Sequence, residues 1–129
     1  MVDVNMLGDG SPQQDVTMEQ LIQAIRTFNQ ERDWERFHTP KNLAMALSVE
    51  AGEIVEQFQW LTPEQSDALP PETRASVRDE IGDVLIYLLN LADKLGVDPL
   101  QAARDKLDQN RAKYPADRVR GKAQKYSEY

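Results

Sequence analysis

Six apolar residues, Val77, Ile81, Val84, Leu88, Leu91 and Leu95, follow one another at steps of 4, 3, 4, 3 and 4. An α-helix returns side chains to one face at that spacing and a strand does not. The spacing therefore predicts a helix from about 72 to 95, around which the rest of the chain must pack. Gly96 follows where a helix commonly ends in a left-handed residue. Ile86 and Leu89 lie on the side opposite the stripe, so this helix is apolar most of the way round. Such a helix is usually buried most of the way round, which a domain of four helices cannot achieve alone. The expectation is a homo-oligomer with this helix near its centre.

The remaining signals are also helical. Thr17 opens "TMEQ", a capping box with Gln20, and Leu21, Ile22, Ile25 and Phe28 continue it as a helix from about 18 to 32. "DWERFHTPKN" reads as a loop, with Pro40 holding Thr39 extended. A second helix runs from about 41 to 60, opened by Asn42, for which capping or site support is expected. "TPEQ" at 62 to 65 repeats the start signal, and "LPP" at 69 to 71 limits it to one or two turns. "DPLQ" at 98 to 101 starts the last helix, which ends before Pro115. No segment alternates as a strand does. The fold class expected is all-α, a four-helix bundle over residues 17–115 assembled into an oligomer. Residues 1–16 read as a flexible lead, and 116–129 as a polar, basic tail, mobile or docked on a neighbour.

Charge and composition narrow the function. The 129 residues carry a formal charge of −7, which argues against a nucleic-acid polymer as partner but not against an anionic small molecule bridged by a metal ion. There is no cysteine, so thiol chemistry is excluded and a reducing compartment, the cytoplasm, is expected. "MVDVNMLGDG" does not resemble a signal peptide, and "VLIYLLNLA" is too short to span a bilayer, so no membrane is expected.

The second helix contains an anomaly. Leu43, Leu47, Ile54 and Phe58 mark its apolar stripe, and the position that should complete it is Glu50. Glu53 follows one turn later, and "EAGE" is answered in the next long helix by "EIGD", Glu80 and Asp83. Residues three apart share a helix face. If the two helices pack antiparallel through their stripes, four carboxylates converge. Four unpaired carboxylates in one groove repel until some protonate, and a hard divalent cation relieves that repulsion. Gly52 and Gly82 each weaken their helix relative to alanine, which suggests close approach of a partner helix or a ligand. One acidic pair three apart is usually a solvated face; two pairs, with Glu50 inside a stripe, are a stronger signal. Glu56 falls away from the apolar face and is assigned to solvent or the edge of the site.

The donor set selects the chemistry. His38, in a loop, is the only histidine, so a Glu-x-x-His di-iron bundle and the usual zinc sites are excluded. Mg²⁺, with Mn²⁺ as substitute, assisting water attack on a phosphate remains. The chain carries no Walker A loop, so phosphate binding must rest on metal and cationic side chains.

"ERDWERFHTPKNLAMALSVEAGEIVEQFQW", then "DEIGDVLIYLLNLADKLGVD" and "NRAKYP", resemble the all-α nucleoside triphosphate pyrophosphatases related to MazG, and most of all the branch containing the dCTP pyrophosphatases. The similarity spans about residues 18 to 126. It implies hydrolysis of a nucleoside triphosphate, dCTP or a modified dCTP first, to monophosphate and pyrophosphate. It also implies Glu50, Glu53, Glu80 and Asp83 as Mg²⁺ ligands, with Glu50 orienting or deprotonating the attacking water. Trp34 and Trp60 can stack on a pyrimidine or pack in the core; the resemblance favours the site and places His38 at the nucleotide, and Tyr87, one turn after Asp83, is expected to pack against the sugar. Lys106, Asn110 and Tyr114 share a face of the last helix, where a solvated helix end competes with phosphate and base contacts made from a neighbouring chain. A homotetramer built as a dimer of dimers is expected. The branch carries a histidine in the first helix three residues before the phenylalanine; Ile25 stands there here, which leaves base preference open. The alternatives are a pyrophosphatase for dUTP or another non-canonical nucleotide, and a non-catalytic helical module that senses nucleotide or metal.

Overall fold

The structure, a computed structural model, describes residues 15–123. All regular structure among them is helical. One compact unit extends to Gly96 and a second begins at Val97. The first holds α1 (Met18–Glu31), a 3-10 turn (Glu35–Phe37), α2 (Pro40–Phe58), the single-turn α3 (Pro63–Ser66) and α4 (Pro71–Lys94). The second holds α5 (Pro99–Lys113) and a short α6 (Ala116–Val119).

The helix starts follow from local chemistry. Thr17 and Thr62 each accept from the backbone three residues on while Gln20 and Gln65 reach back, two complete capping boxes. Thr39 caps α2 by accepting from the Asn42 backbone, with Pro40 in the first turn. Asn42 is therefore not the cap; its side chain donates to the Phe37 carbonyl and ties the 3-10 turn to the start of α2. Asp98 caps α5, and Gly96 leaves α4 at φ 66°. Within the tail expected over 116–129, α6 forms one turn; the lead expected over 1–16 falls almost wholly outside the described residues.

In the first unit α2 packs most extensively on α4, and α1 also packs on α4. Arg26 pairs with Asp93 and Asn29 with Asn90, so later residues of α1 meet earlier residues of α4 and the two run antiparallel. The core is small: Leu43 and Leu89 are fully buried, joined by Ala24, Ile25 and Ala92.

Here the structure differs from the periodicity. Of the stripe on α4, Val77, Val84 and Leu91 are half-buried, whereas Ile81, Leu88 and Leu95 are exposed. Leu89, expected on the far side, is the most deeply buried residue of the helix. The physical reason is that α4 has two partners. A 4-3 stripe describes a seam with one neighbour; contact with both α1 and α2 moves the buried arc to Leu89, Asn90 and Ala92.

Candidate functional site

Glu50 and Glu53 come from α2, Glu80 and Asp83 from α4. Glu50, Glu80 and Asp83 each bring a carboxylate oxygen within 4.8 Å of the others, a grouping able to hold a metal ion. Glu53 lies close enough to raise the pKa of both Glu50 and Glu80. Glu50 and Glu80 each hold an Oε2 that is shut from solvent and has no hydrogen-bond partner. A buried unpartnered carboxylate oxygen is costly unless a proton or cation satisfies it.

The electrostatics agree. Burial, followed by the neighbouring Glu53, lifts Glu50 above the usual carboxylate range, with the Asp83 charge adding to it. Glu80 is pushed up to about 7, chiefly by the carboxylate of Glu53 at hydrogen-bonding reach, then by burial and by Glu50. Facing carboxylates cannot all ionise without a counter-charge. The donor set is oxygen only, half-buried apart from the exposed Asp83, and fits a hard divalent cation.

Gly52 and Gly82 have a simple geometry. A Cβ built on either would meet nothing within 4 Å, so no helix of the same unit requires them. The close approach expected beside each acidic motif is therefore not made by another helix of the same unit.

Asp83 also lines a pocket of about 310 Å³ between α1 and α4. Leu21, Ala24, Ile25 and Phe28 form its wall on α1, and Ile86 and Tyr87 its wall on α4. Trp34 and His38 close one side. The Trp34 ring meets Phe28 edge-on at 5.6 Å between centroids and His38 at 6.4 Å. Its backbone N–H donates to the Asn29 carbonyl, and Asp33 turns the chain there at φ 52°, a left-handed conformation that aspartate tolerates better than most residues. Burial, then the Lys94 charge, holds His38 below its ordinary pKa, so the imidazole is neutral at pH 7. Its Nδ1 is buried without a partner.

Of the residues named from sequence, Trp34, His38, Asp83 and Tyr87 meet at this pocket, and Glu50, Glu53 and Glu80 stand around Asp83. Trp60 does not line the pocket; it is 87% exposed on the turn after α2. Lys106, Asn110 and Tyr114 belong to the second unit, with Asn110 half-buried and Tyr114 ending α5. Sequence reasoning missed the floor of the pocket, Asn29 and Asn90, which are almost fully buried. A signal existed: Asn29 continues the Leu21, Ile25 face, and Asn90 interrupts "YLLNLA".

A model of the MazG-like family matches residues 45–129. The chain belongs to the MazG-like family. The matched region contains both acidic motifs. Among similar proteins, dCTP pyrophosphatase 1 of Mus musculus is 45% identical over 114 residues, covering 87% of this chain and 67% of its own length. The Homo sapiens dCTP pyrophosphatase 1 is 43% identical over 114 residues, with the same shares. The crystal structure of a pyrophosphatase from Archaeoglobus fulgidus superposes with a TM-score of 0.73 at 40% identity, covering 76% of this chain and 92% of that one.

Proposed function

We propose that this protein is a divalent-metal-dependent nucleotide pyrophosphohydrolase that converts dCTP, or a modified dCTP, to the monophosphate and pyrophosphate. The names of the relatives support the reaction. The observation that carries it is the shared position of Asp83, at once a member of the carboxylate group and part of the lining of an apolar, aromatic pocket. A nucleotide bound with its base in that pocket has its phosphates at the acidic group. Glu50, Glu53, Glu80 and Asp83 would hold Mg²⁺, or Mn²⁺ in its place. When bound, such an ion neutralises triphosphate charge and polarises the reacting phosphoryl group.

The chain's own residues do the rest. Glu50, which has an oxygen without a hydrogen-bond partner, accepts a proton from the attacking water. The water oxygen bonds to the α-phosphorus, and the bond from that phosphorus to the bridging oxygen breaks, releasing pyrophosphate. Neutral His38 suits contact with sugar or base better than with phosphate. Trp34 and Tyr87 wall the nucleoside.

We further propose a homotetramer, a dimer of dimers, in the cytoplasm, serving nucleotide-pool house-cleaning. Exposed Met45 and Val49 on α2 and Ile81, Leu85 and Leu88 on α4 support assembly. Lys106, Asn110 and Tyr114 then reach the phosphates or base of a nucleotide held by a neighbouring chain. No helix among the described residues is long and apolar enough to cross a membrane.

The test is a screen of natural and modified nucleoside triphosphates with Mg²⁺, reading pyrophosphate and orthophosphate separately. Pyrophosphate from dCTP is expected. Orthophosphate as the first product, or no turnover of any nucleotide, would overturn the reading.

A further inference from the structure

The floor of the apolar pocket is a pair of asparagines. Asn29 and Asn90 are 7% and 8% exposed, and both line the cavity. Asn29 Nδ2 donates to Asn90 Oδ1 at 2.7 Å. Asn90 Nδ2 donates to the Ile86 carbonyl at 3.1 Å. Two amides almost out of water, in a pocket lined otherwise by leucine, isoleucine, alanine, aromatic rings and the Asp83 carboxylate, are costly unless their polar atoms are used.

The direction of this chain of hydrogen bonds is fixed. A side-chain amide can turn over and exchange its oxygen for its nitrogen. A helix carbonyl cannot, and it only accepts. The Ile86 carbonyl therefore requires the NH₂ of Asn90, which turns the Asn90 oxygen towards Asn29. That oxygen in turn requires the NH₂ of Asn29. The Asn29 oxygen accepts from no group among the described residues. The backbone carbonyl of the same residue holds the Trp34 N–H, so floor and aromatic wall are set by one residue.

We propose that Asn29 Oδ1, oriented by Asn90 and the Ile86 carbonyl, determines base specificity by accepting a hydrogen bond from an exocyclic amino group, so that the site takes an amino-bearing pyrimidine and rejects its oxo counterpart. The proposal rests on the reading of the pocket as a nucleotide site. Cytosine offers a donor at its exocyclic nitrogen; uracil and thymine place a carbonyl oxygen at the same position. Against them the Asn29 oxygen meets another acceptor, and Asn29 cannot turn over without breaking its bond to Asn90. A buried site that leaves polar groups unpaired discriminates more strongly than one that lacks a methyl contact.

Binding of dCMP and dUMP to the wild-type protein, measured by calorimetry, tests the atom apart from turnover. A preference for dCMP of about tenfold or more is expected, the ratio that one mismatched buried hydrogen bond gives. Asn29→Ala removes the acceptor, and Asn90→Ala frees Asn29 to turn over. Each should bring dCMP and dUMP to near parity, and kcat/KM for dCTP and dUTP should converge in parallel. Equal binding of the two monophosphates by the wild type overturns the proposal. So does a variant that weakens both equally and keeps the preference, the mark of a merely structural role. A wild type that binds neither monophosphate and hydrolyses no nucleotide defeats the reading of the pocket itself, and the proposal with it.

Discussion

Glu50 occupies the place where the spacing of Leu43, Leu47, Ile54 and Phe58 asks for an apolar side chain. Half-buried, with an unpartnered oxygen and a raised pKa, it is unfavourable for the metal-free protomer. Glu50→Leu should therefore melt higher than wild type in EDTA, with burial of the leucine contributing about 1.5–3 kcal/mol at most, and should be inactive. Mg²⁺ should raise the wild-type melting temperature more than the variant's, because only the wild type keeps every carboxylate. A variant that melts lower in EDTA would make Glu50 a structural partner. Glu80 gives a pH signature. Its folded pKa of about 7 exceeds the ordinary 4.5, so the folded protein keeps a proton that the unfolded chain has released. The stability this group contributes is complete below pH 4.5 and is lost as pH rises through about 7. In EDTA, thermal stability should fall across that window, and Glu80→Gln should flatten the fall; equal slopes would contradict it. Glu53→Gln and Asp83→Asn should each nearly abolish turnover while circular dichroism stays unchanged.

At the scale of elements, α4 carries the unit because it packs on both α1 and α2. Leu89→Ala should cost about 2–5 kcal/mol in urea unfolding, the range for a buried leucine. Leu88→Ala, at an exposed position on the isolated protomer, should cost clearly less in a dissociated protomer. Equal losses would mean that the stripe, and not the Leu89 face, is the core. This is also where legibility in the sequence ran out. The helices could be read nearly to the residue, because capping boxes at Thr17 and Thr62 and prolines at 40, 63, 71 and 99 are local instructions. The arc of α4 that is buried depends on how many helices touch it, which no local spacing states. The acidic group was visible because carboxylates on an apolar helix are anomalous wherever they occur. Asn29 and Asn90 break apolar patterns too, but asparagine is ordinary at a surface, and the meaning of the two breaks comes from a pairing 61 positions apart.

For the whole molecule, exposed Met45, Val49, Ile81, Leu85 and Leu88 leave apolar faces on the first unit that an isolated protomer would present to water. Light scattering at micromolar concentration should give a tetramer mass, and Ile81→Glu should lower it; a monomeric wild type would contradict the assembly. Assembly and chemistry meet in the claim that carboxylates on α2 and α4 direct water to one phosphorus of a nucleotide held in the neighbouring pocket. Hydrolysis of dCTP in heavy-oxygen water, followed by mass spectrometry of both products, tests that claim directly. The account predicts the label in dCMP, from attack at the α-phosphorus. Label in the pyrophosphate would place the attack on the other side of the bridging oxygen and contradict it.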